Sequence, residues 1–382
     1  MAPAVYRFVL SAGMLILLTG CWDRSELPSK GFVMGVALDR TDDGQFEMTT
    51  QVFKPSQGLV GMRTSDKSTV NIVTHNHTLS KAIRDIPIHL GRKTMWGHAR
   101  ILIISEQLAR EHNVLETLDF FYRDHEPRLT TSLVIAKGKA SKYLEIKPLI
   151  ENTISQQFHQ SSDAADMNSS KTINTNLLDL GLQLKSQVGN ATVPYLYLTE
   201  DHDVAATNVA GVALLKKGVM VGLMKPFYVE SLQMLQNNFN SGMVAVACPH
   251  DNKKEEAVEV LFLSSAWKPV IVPDQPLRTH IAIKADVALL EAACTKLETQ
   301  EDEQRFKEKI EDNIRKQVLE MLTWLQRNKF DALGLGNKVY QQNPALWKKW
   351  KPNWEDRFAE SEFSVNVSVH LSTTGTSIGK PT

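Results

Sequence analysis

The residue best placed for covalent chemistry is Cys21, whose thiol is a strong nucleophile that follows a short apolar stretch. Phe8 to Leu18 (FVLSAGMLILL) holds eleven residues behind Arg7, which fits the apolar core of a secretory signal. A helix that crosses a bilayer needs about 20 apolar residues, so this stretch is too short for a permanent span. The small side chains of Thr19 and Gly20 would let a protease reach the backbone in front of Cys21.

The run Leu18-Thr19-Gly20-Cys21 resembles the lipobox of bacterial lipoproteins. It predicts that residues 1–20 are a signal peptide, cut between Gly20 and Cys21, and that Cys21 carries S-diacylglycerol and an N-acyl chain such as palmitate. Two acyl chains hold a protein stably, because each buried methylene contributes about 0.8 kcal/mol. The alternative is an ordinary signal peptide with an incidental cysteine. No other segment reaches 18 consecutive apolar residues, so we expect the rest of the mature chain to be soluble.

The composition excludes some classes of partner. The 382 residues are 42% apolar and 23% charged, with a formal net charge of zero. This is an ordinary globular composition, and the length predicts two or three domains. A neutral chain has no electrostatic reason to bind nucleic acid, and it is not a polybasic membrane binder. Its contact with a membrane must therefore come from the lipid on Cys21.

Four histidines lie close enough in sequence to suggest a metal site: His75, His77, His89 and His98. They lack the H-E-x-x-H pattern, and no acidic residue stands at a ligand-like offset beside them. Ordinary surface or hydrogen-bonding histidines are therefore the favoured interpretation, and no metal site is predicted.

A glycine pair suggests a cofactor loop but lacks its geometry. Gly334-Leu335-Gly336 resembles the start of a dinucleotide-binding loop, yet position 339 is valine and a helix precedes the pair. We interpret the pair as a helix stop and a tight turn. The sequence contains neither G-x-S-x-G nor a P-loop, and no paired carboxylates stand out. We therefore predict no cofactor, no catalytic residue and no enzymatic activity.

Tryptophans and cysteines complete the set of candidate residues. Trp347, Trp350 and Trp354 form one aromatic stripe, which could touch lipid headgroups; we favour packing over the core of the last domain.

Cys248 and Cys294 could form a disulfide in an oxidising compartment. Burial as small apolar thiols is the usual fate of free cysteines and is the outcome we expect.

Periodicity predicts a mixed α/β (α+β) fold of three domains, each a sheet packed with helices. Residues 21–200 form the first domain, which opens on a β-hairpin around Asp42-Asp43-Gly44. Further strands are predicted at Val70–His77, Ala99–Ser105 and Arg128–Ala136. Helices are predicted at Thr78–Leu90, Glu106–Tyr122, Ser141–Phe158 and Leu177–Val188, with the polar stretch Ser161–Lys171 as a surface loop.

The second half of the chain is predicted to hold two smaller domains. Residues 201–275 contain a hairpin around Lys216-Lys217-Gly218 and a helix, Phe227–Phe239. Three prolines between 269 and 276 suggest a stiff connection to residues 276–382. This last domain has one long amphipathic helix, Leu297–Asn328, between alternating strands.

Several segments together resemble the Ger(x)C family, the lipoprotein subunit of spore germinant receptors. They are LTGCWDRSEL (18–27), GHARILIISEQLAR (97–110), LDFFYRDHEPRLTTSLVIAKGKAS (118–141), GVALLKKGVMVGLM (211–224) and DALGLGNKVYQQNPALWKKWKPNWEDRF (331–358). The resemblance extends from Cys21 to about Leu371. It implies a non-enzymatic lipoprotein subunit on the outer surface of the spore inner membrane, needed for nutrient-triggered germination. Its implied partners are the integral-membrane A and B subunits of the receptor.

Two alternatives and one candidate surface remain. Gly91–His98 and Leu118–Arg128 are our candidate docking surface, because they carry more charged and aromatic residues than a core needs. A lipid-anchored small-molecule (solute) binding protein would instead have a deep interdomain cleft with converging polar groups. A lipid-anchored hydrolase would have titratable residues with perturbed pKa values clustered in such a cleft.

Overall fold

Two β-sheets packed with helices organise the residues that the structure describes. The structure is a computed structural model that describes residues 30–53, 69–201, 204–248, 251–272, 275–295 and 297–373. Its architecture is the mixed α/β fold that the sequence predicts. No helix in these ranges has both the length and the apolar character needed to cross a membrane.

The strands fall into two groups along the chain. The first sheet contains β1 (Lys30–Arg40), β2 (Phe46–Phe53), β3 (Thr69–Asn76), β4 (Lys93–Met95), β5 (Ile101–Ser105), β6 (Ser132–Ala136), β7 (Asn190–Asp201), β8 (Val204–Lys216) and β9 (Val219–Met224). The second sheet contains β10 (Met243–Cys248), β11 (Asp251–Val270), β12 (Arg278–Glu291) and β13 (Glu362–Thr373).

The helices connect and cover these strands. They are α1 (Leu79–Leu90), α2 (Glu106–Glu111), α3 (Val114–Thr117), α4 (Asp119–Arg123), α5 (Ile154–Ser169), α6 (Leu177–Leu184), α7 (Pro226–Gln236), α8 (Gln300–Arg327), α9 (Leu335–Gln342), α10 (Pro344–Trp350) and α11 (Trp354–Ala359). Short 3₁₀ turns cover Trp96–His98, Ser141–Glu145 and Lys351–Asn353.

The first sheet has a parallel centre and antiparallel edges. Its order is β3-β2-β1-β5-β6-β7-β8-β9, and β4 pairs with the start of β1. Strands β1, β5, β6 and β7 are parallel, whereas the two hairpins predicted from Gly44 and Gly218 form antiparallel edges. Parallel strands are buried on both faces, and every residue of β5 and β6 is buried.

Helix α8 covers the second sheet with one apolar stripe. Its buried residues are Phe306, Ile310, Ile314, Val318, Met321, Leu322 and Leu325. They pack against the inward side chains of β12 and β13, which alternate between buried and exposed positions. A capping box between Thr299 and Asp302 fixes the first turn of the helix. The predicted long amphipathic helix is confirmed.

The prediction for residues 141–171 is wrong in two places. The segment Ser161–Lys171 is not a surface loop, because α5 runs through it, and Ser141–Glu145 is a 3₁₀ turn rather than the start of a long helix. Part of the buried side of α5 is small and polar, with Ser155 and Ser162 fully buried. Apolar periodicity cannot detect such a face.

The predicted boundaries at residues 200 and 275 do not coincide with the edges of the sheets. Strands β8 and β9 lie beyond residue 200 but complete the first sheet. Strands β11 and β12 lie on either side of residue 275 but pair with each other from Ala257–Glu291 to Val270–Arg278. One cluster of buried side chains reaches from Ile173 to Val369. The division into three domains remains a prediction.

The expectation of two free, buried thiols is wrong, because Cys248 and Cys294 form a disulfide. Cys248 is buried at the end of β10, and Cys294 is exposed in the turn after β12. The carboxylate of the buried Glu256 holds this turn, since it accepts hydrogen bonds from the backbone N–H of Cys294 (3.1 Å) and Thr295 (2.5 Å). The two α-carbons are thereby kept 6.0 Å apart, which is within bonding range for a disulfide.

The disulfide closes a sequence separation of 46 residues, so its removal should lower the free energy of unfolding by up to about 4 kcal/mol. We expect Cys248→Ala, Cys294→Ala and the double variant to lose equal stability in urea denaturation, because each breaks the same bond. Thiol alkylation followed by mass spectrometry should modify neither cysteine without reductant. Alkylation of both in the unreduced native protein would contradict the assignment.

Candidate functional site: a polar cleft between the two sheets

The site predicted most firmly from the sequence, Gly20 and Cys21, lies outside the described residues. Within the described residues, a cleft of about 670 Å³ is the candidate binding site. One wall comes from α5, α6 and β7, and the other comes from α7 and the turn between α8 and α9. This volume falls within the 300–1,000 Å³ range of small-molecule sites.

The lining of the cleft is rich in amides and carboxyl groups. Its amide side chains include Asn174, Gln183, Asn190, Gln233, Gln236 and Asn337, and its carboxyl groups are Asp166, Asp179 and Asp331. Among the described residues that line the cleft, none is lysine or arginine. The cleft is therefore electronegative, and a ligand carrying a cationic or hydrogen-bond-donating group fits it better than an anion does.

Asp166 and Gln233 meet at one side of the cleft. The Gln233 side chain is almost fully buried and donates hydrogen bonds from Nε2 to Asp166 Oδ1 (2.6 Å) and to the Thr172 carbonyl (3.0 Å). Its amide oxygen has no hydrogen-bond partner among the described atoms. Burial raises the pKa of Asp166, the bond from Gln233 partly offsets that effect, and the nearby Asp163 adds to it. This pair therefore offers a carboxyl group and an unpartnered amide oxygen at one side of the cleft.

Asp331 has a structural role at the opposite wall. Its carboxylate is buried and accepts hydrogen bonds from the backbone N–H groups of Leu335 and Gly336, both at 2.9 Å, and from Trp354 Nε1 at 3.2 Å. Burial raises the pKa of this carboxyl group, and the donated hydrogen bonds act against that shift. With both oxygens engaged, Asp331 positions the start of α9 rather than offering a free carboxylate to a ligand.

The same turn explains the Gly334-Leu335-Gly336 motif. Gly334 has a left-handed backbone (φ 68°) and begins α9, so the pair starts a helix and is not the predicted helix stop. A Cβ on Gly336 would collide with the ring of Trp347. The amide groups that would bind phosphate in a dinucleotide loop are already bound to Asp331. The motif is therefore a close-packed turn.

Hydrogen bonds tie the two walls together. The Val188 N–H donates to Asn337 Oδ1 (3.2 Å), and Trp347 Nε1 donates to Gln187 Oε1 (3.1 Å). All three tryptophans of the stripe are buried, at 2–5% exposure. The predicted packing of the stripe over a core is confirmed, and its alternative contact with lipid headgroups is wrong.

The four histidines do not converge. His75, His77, His89 and His98 are all exposed, and His75 Nε2 lies 3.3 Å from the carboxylate of Glu47. Among the described residues, the one group with metal-ligand geometry is Cys248, Glu256 and Cys294. Its two sulfur atoms are bonded to each other.

The two segments of the candidate docking surface do lie side by side. The Trp96 ring packs against Phe120 and Phe121, with ring centroids 6.2 and 5.8 Å apart, and Lys93 Nζ lies 3.5 Å from Glu126. Trp96 and Phe121 are buried, so they stabilise the first sheet and are not available to a partner. The charged side chains form the exposed part of this surface.

Sequence reasoning missed Asp166, Gln233 and Asp331. Asp166 lies in a stretch that was predicted to be a loop. The residues around Asp166 and around Gln233 form no pattern that would mark these two side chains as lining a cleft. Asp331 carried one signal, since an aspartate shortly before a helix start is a common cap. The nearby glycine pair, Gly334 and Gly336, was considered only as a possible dinucleotide-binding loop or as a helix stop.

Comparison with known proteins identifies the class. Residues 23–198 match the model of the spore germination protein N-terminal domain, and residues 210–375 match the model described as spore germination B3/GerAC like, C-terminal. The two models cover nearly all of the described residues. The chain therefore belongs to the Ger(x)C family of spore germination proteins.

Particular relatives match along their whole length. The chain is 25% identical to spore germination protein B3 of Bacillus subtilis (strain 168), over 98% of this chain and 99% of that protein. It is 23% identical to spore germination protein KC of the same organism, over 96% and 95% of the two chains. The crystal structure of the GerBC protein shares the fold, with a TM-score of 0.55 and 20% identity over 92% of this chain and all of that chain.

Replacing Asp331 should destabilise the wall of the cleft. Asp331→Ala leaves two helix N–H groups and the indole of Trp354 without their buried acceptor, so we expect a loss of about 3 kcal/mol in the free energy of unfolding. Asp356→Ala is the matched control, because that carboxylate is 62% exposed in its ion pair with Lys329 and should change stability by less than about 0.5 kcal/mol. Equal effects of the two variants in urea denaturation would show that Asp331 is not the organising group.

Glu230 on α7 should make stability depend on pH. Burial raises its pKa to about 7, partly offset by Lys171, so the unfolded chain loses this proton at lower pH than the folded chain does. Stability should therefore fall as pH rises from about 4.5 to 7. We expect Glu230→Gln to match the parent at pH 4 and to exceed it by about 1 kcal/mol at pH 8, after allowance for solvent screening. A pH-independent difference in thermal unfolding would contradict this assignment.

Proposed function

We propose that this protein is a non-enzymatic, lipid-anchored subunit of a spore germinant receptor. The observation that carries the proposal is the match of both halves of the chain to the two spore germination models, in order and nearly end to end. Relatives of similar length carry names of spore germination proteins. The lipobox-like run that ends at Cys21 supports the lipid anchor.

The proposed location is the outer surface of the spore inner membrane, with S-diacylglycerol and an N-acyl chain on Cys21. There the subunit would dock on the integral-membrane A and B subunits and contribute to nutrient-triggered germination. The charged surface formed by Gly91–His98 and Leu118–Arg128 is a candidate for this contact. Support for a non-catalytic role comes from the family match, because the matched models and relatives are described as spore germination proteins and not as enzymes.

The lipid anchor can be tested at Cys21. We expect Cys21→Ala to move the protein from the membrane fraction of spores to the soluble fraction, because two acyl chains supply the stable attachment. Ser25→Ala is the control, because it changes a small polar side chain near the anchor and keeps Cys21; it should stay in the membrane fraction. Mass spectrometry of the native protein should find an N-terminal Cys21 with a diacylglycerol mass. Full membrane retention of Cys21→Ala would assign the attachment to protein partners.

A second function has a specific observation in its favour. Capture of a small solute requires an interdomain cleft with converging polar groups, and the cleft between the sheets has this character. Asp166, together with the absence of lysine and arginine from the described lining residues, favours small amines, including amino acids. In this proposal Asp166 would accept a hydrogen bond from the ammonium group of the ligand.

Calorimetry on the purified mature chain separates the two functions. If the cleft captures solutes, a free amino acid or small amine should bind with a dissociation constant of about 1 mM or lower, typical of small-molecule sites. Asp166→Asn should weaken binding at least about tenfold, or 1.4 kcal/mol, whereas Asp356→Asn should not change it. If no amine or amino acid tested gives a heat of binding, solute capture is rejected and the accessory role is the function that remains.

A further inference from the structure

The end of the first sheet at which β1 begins carries exposed apolar side chains that the proposed function does not explain. The start of β1, the end of β2, the start of β3 and strand β4 meet there, as the pairs Phe32–Phe53, Phe53–Thr69 and Lys30–Lys93 show. We call this edge the Lys30 end. The opposite end of β1 carries the hairpin turn at Asp42.

Helix α1 brings an apolar side chain to the Lys30 end on one face of the sheet. The helix starts beside the far end of β3 and returns towards β4, so that Leu90 packs over Gly31. Its inner residues, such as Ile83 and Ile86, are buried in the core. Ile88 points away from that core and is 77% exposed.

The segment 146–153 brings two more apolar side chains to the Lys30 end on the other face. The N–H groups of Ala140 and Ser141 bind Asp39 near the far end of β1, and the Leu144 carbonyl then accepts from Gln51 and Asn71, nearer the Lys30 end. The chain thus advances towards the Lys30 end before Ser155 returns it to Gln51. Between these points lie Leu149, 80% exposed, and Ile150, 88% exposed.

These three are the most exposed large apolar side chains among the described residues. We propose that the Lys30 end is the face of the protein that rests on the lipid bilayer, with Ile88, Leu149 and Ile150 inserted at the boundary between headgroups and acyl chains. The inference rests on the lipid anchor of the proposed function, and it adds an orientation that the anchor alone does not give.

The position of Cys21 selects lipid as the occupant of this face. Lys30 is nine positions after Cys21, and an extended chain spans at most about 3.6 Å per residue, so the α-carbon of Lys30 lies within about 32 Å of that of Cys21. Strand β1 has eleven residues and is about 35 Å long, and the chain that leaves Cys21 reaches its Lys30 end first.

Charge at the rim of this face agrees with the same occupant. Lys30, Arg92 and Lys147 flank the three apolar side chains together with Glu145 and Glu151, and Arg92, Lys147 and Glu145 are exposed. The three basic side chains exceed the two acidic ones, and basic side chains around an apolar patch favour a surface with anionic lipid headgroups. Lys93 belongs to the same rim but lies 3.5 Å from Glu126, so its charge is partly neutralised.

Depth-dependent fluorescence quenching tests the orientation in the full, lipidated chain. Single cysteines replace Ile88, Ile150 or Asp42 and carry an environment-sensitive dye; Cys21 is blocked by lipid, and Cys248 and Cys294 are joined to each other. Asp42 is the control, because it is exposed at the opposite end of β1. The proteins are reconstituted in vesicles of phosphatidylcholine and phosphatidylglycerol, with or without bromine on the acyl chains.

We expect brominated lipid to quench the dye at positions 88 and 150 at least twofold more than the dye at position 42. Flotation of the same vesicles reports the anchor separately. If the protein floats but quenching is equal at all three positions, the anchor is supported and the proposed membrane face is wrong. The exposed apolar residues would then be candidates for contact with a protein partner. Protein that does not float would overturn the anchor and this inference together.

Discussion

The buried Asp331 carboxylate is the interaction on which the placement of α9 and α11 beside the cleft depends. A carboxylate in a buried site is costly unless donors surround it, and here the start of α9 and the indole of Trp354 supply them. Because these donors come from two separate helices, one side chain fixes how α9 and α11 pack behind the second sheet. The backbone carbonyl of Asp331 also accepts from Asn190 in β7, at 3.4 Å, which connects this packing to the first sheet.

The cleft lies beside this packing. One apolar cluster joins the two sheets behind the cleft. At the cleft itself, hydrogen bonds from Val188 to Asn337 and from Trp347 to Gln187 link the walls, and amides and carboxyl groups line the gap. Gln233 keeps one unpartnered oxygen in this region, and an unsatisfied buried acceptor is rare unless a ligand, water or motion uses it. The cleft thus gives the solute-binding alternative a physical basis, although the family match favours a receptor subunit.

The two ends of the first sheet differ in the polarity of their exposed surface. At the Lys30 end, apolar side chains from α1 and from residues 146–153 are left exposed on both faces. At the far end, Asp39 is buried and its carboxylate accepts from Ala140 and Ser141, which closes that end with polar contacts. A body held by lipid on Cys21 would therefore have one end suited to a bilayer and one end suited to water.

Sequence alone determined the features that local pattern encodes. The hairpins at Gly44 and Gly218, the buried strands β5 and β6 and the stripe of α8 all follow from periodicity and turn chemistry, and the lipobox-like run follows from residue type and spacing. Periodicity predicted a helix only as far as Phe158 and missed the rest of α5, because part of its buried side is serine and its packing depends on a glycine in a distant strand. The disulfide, the Asp331 turn and the cleft each join residues far apart in the chain. Only the tertiary structure could decide them, because their stability comes from burial and hydrogen bonds that exist after both sheets have packed.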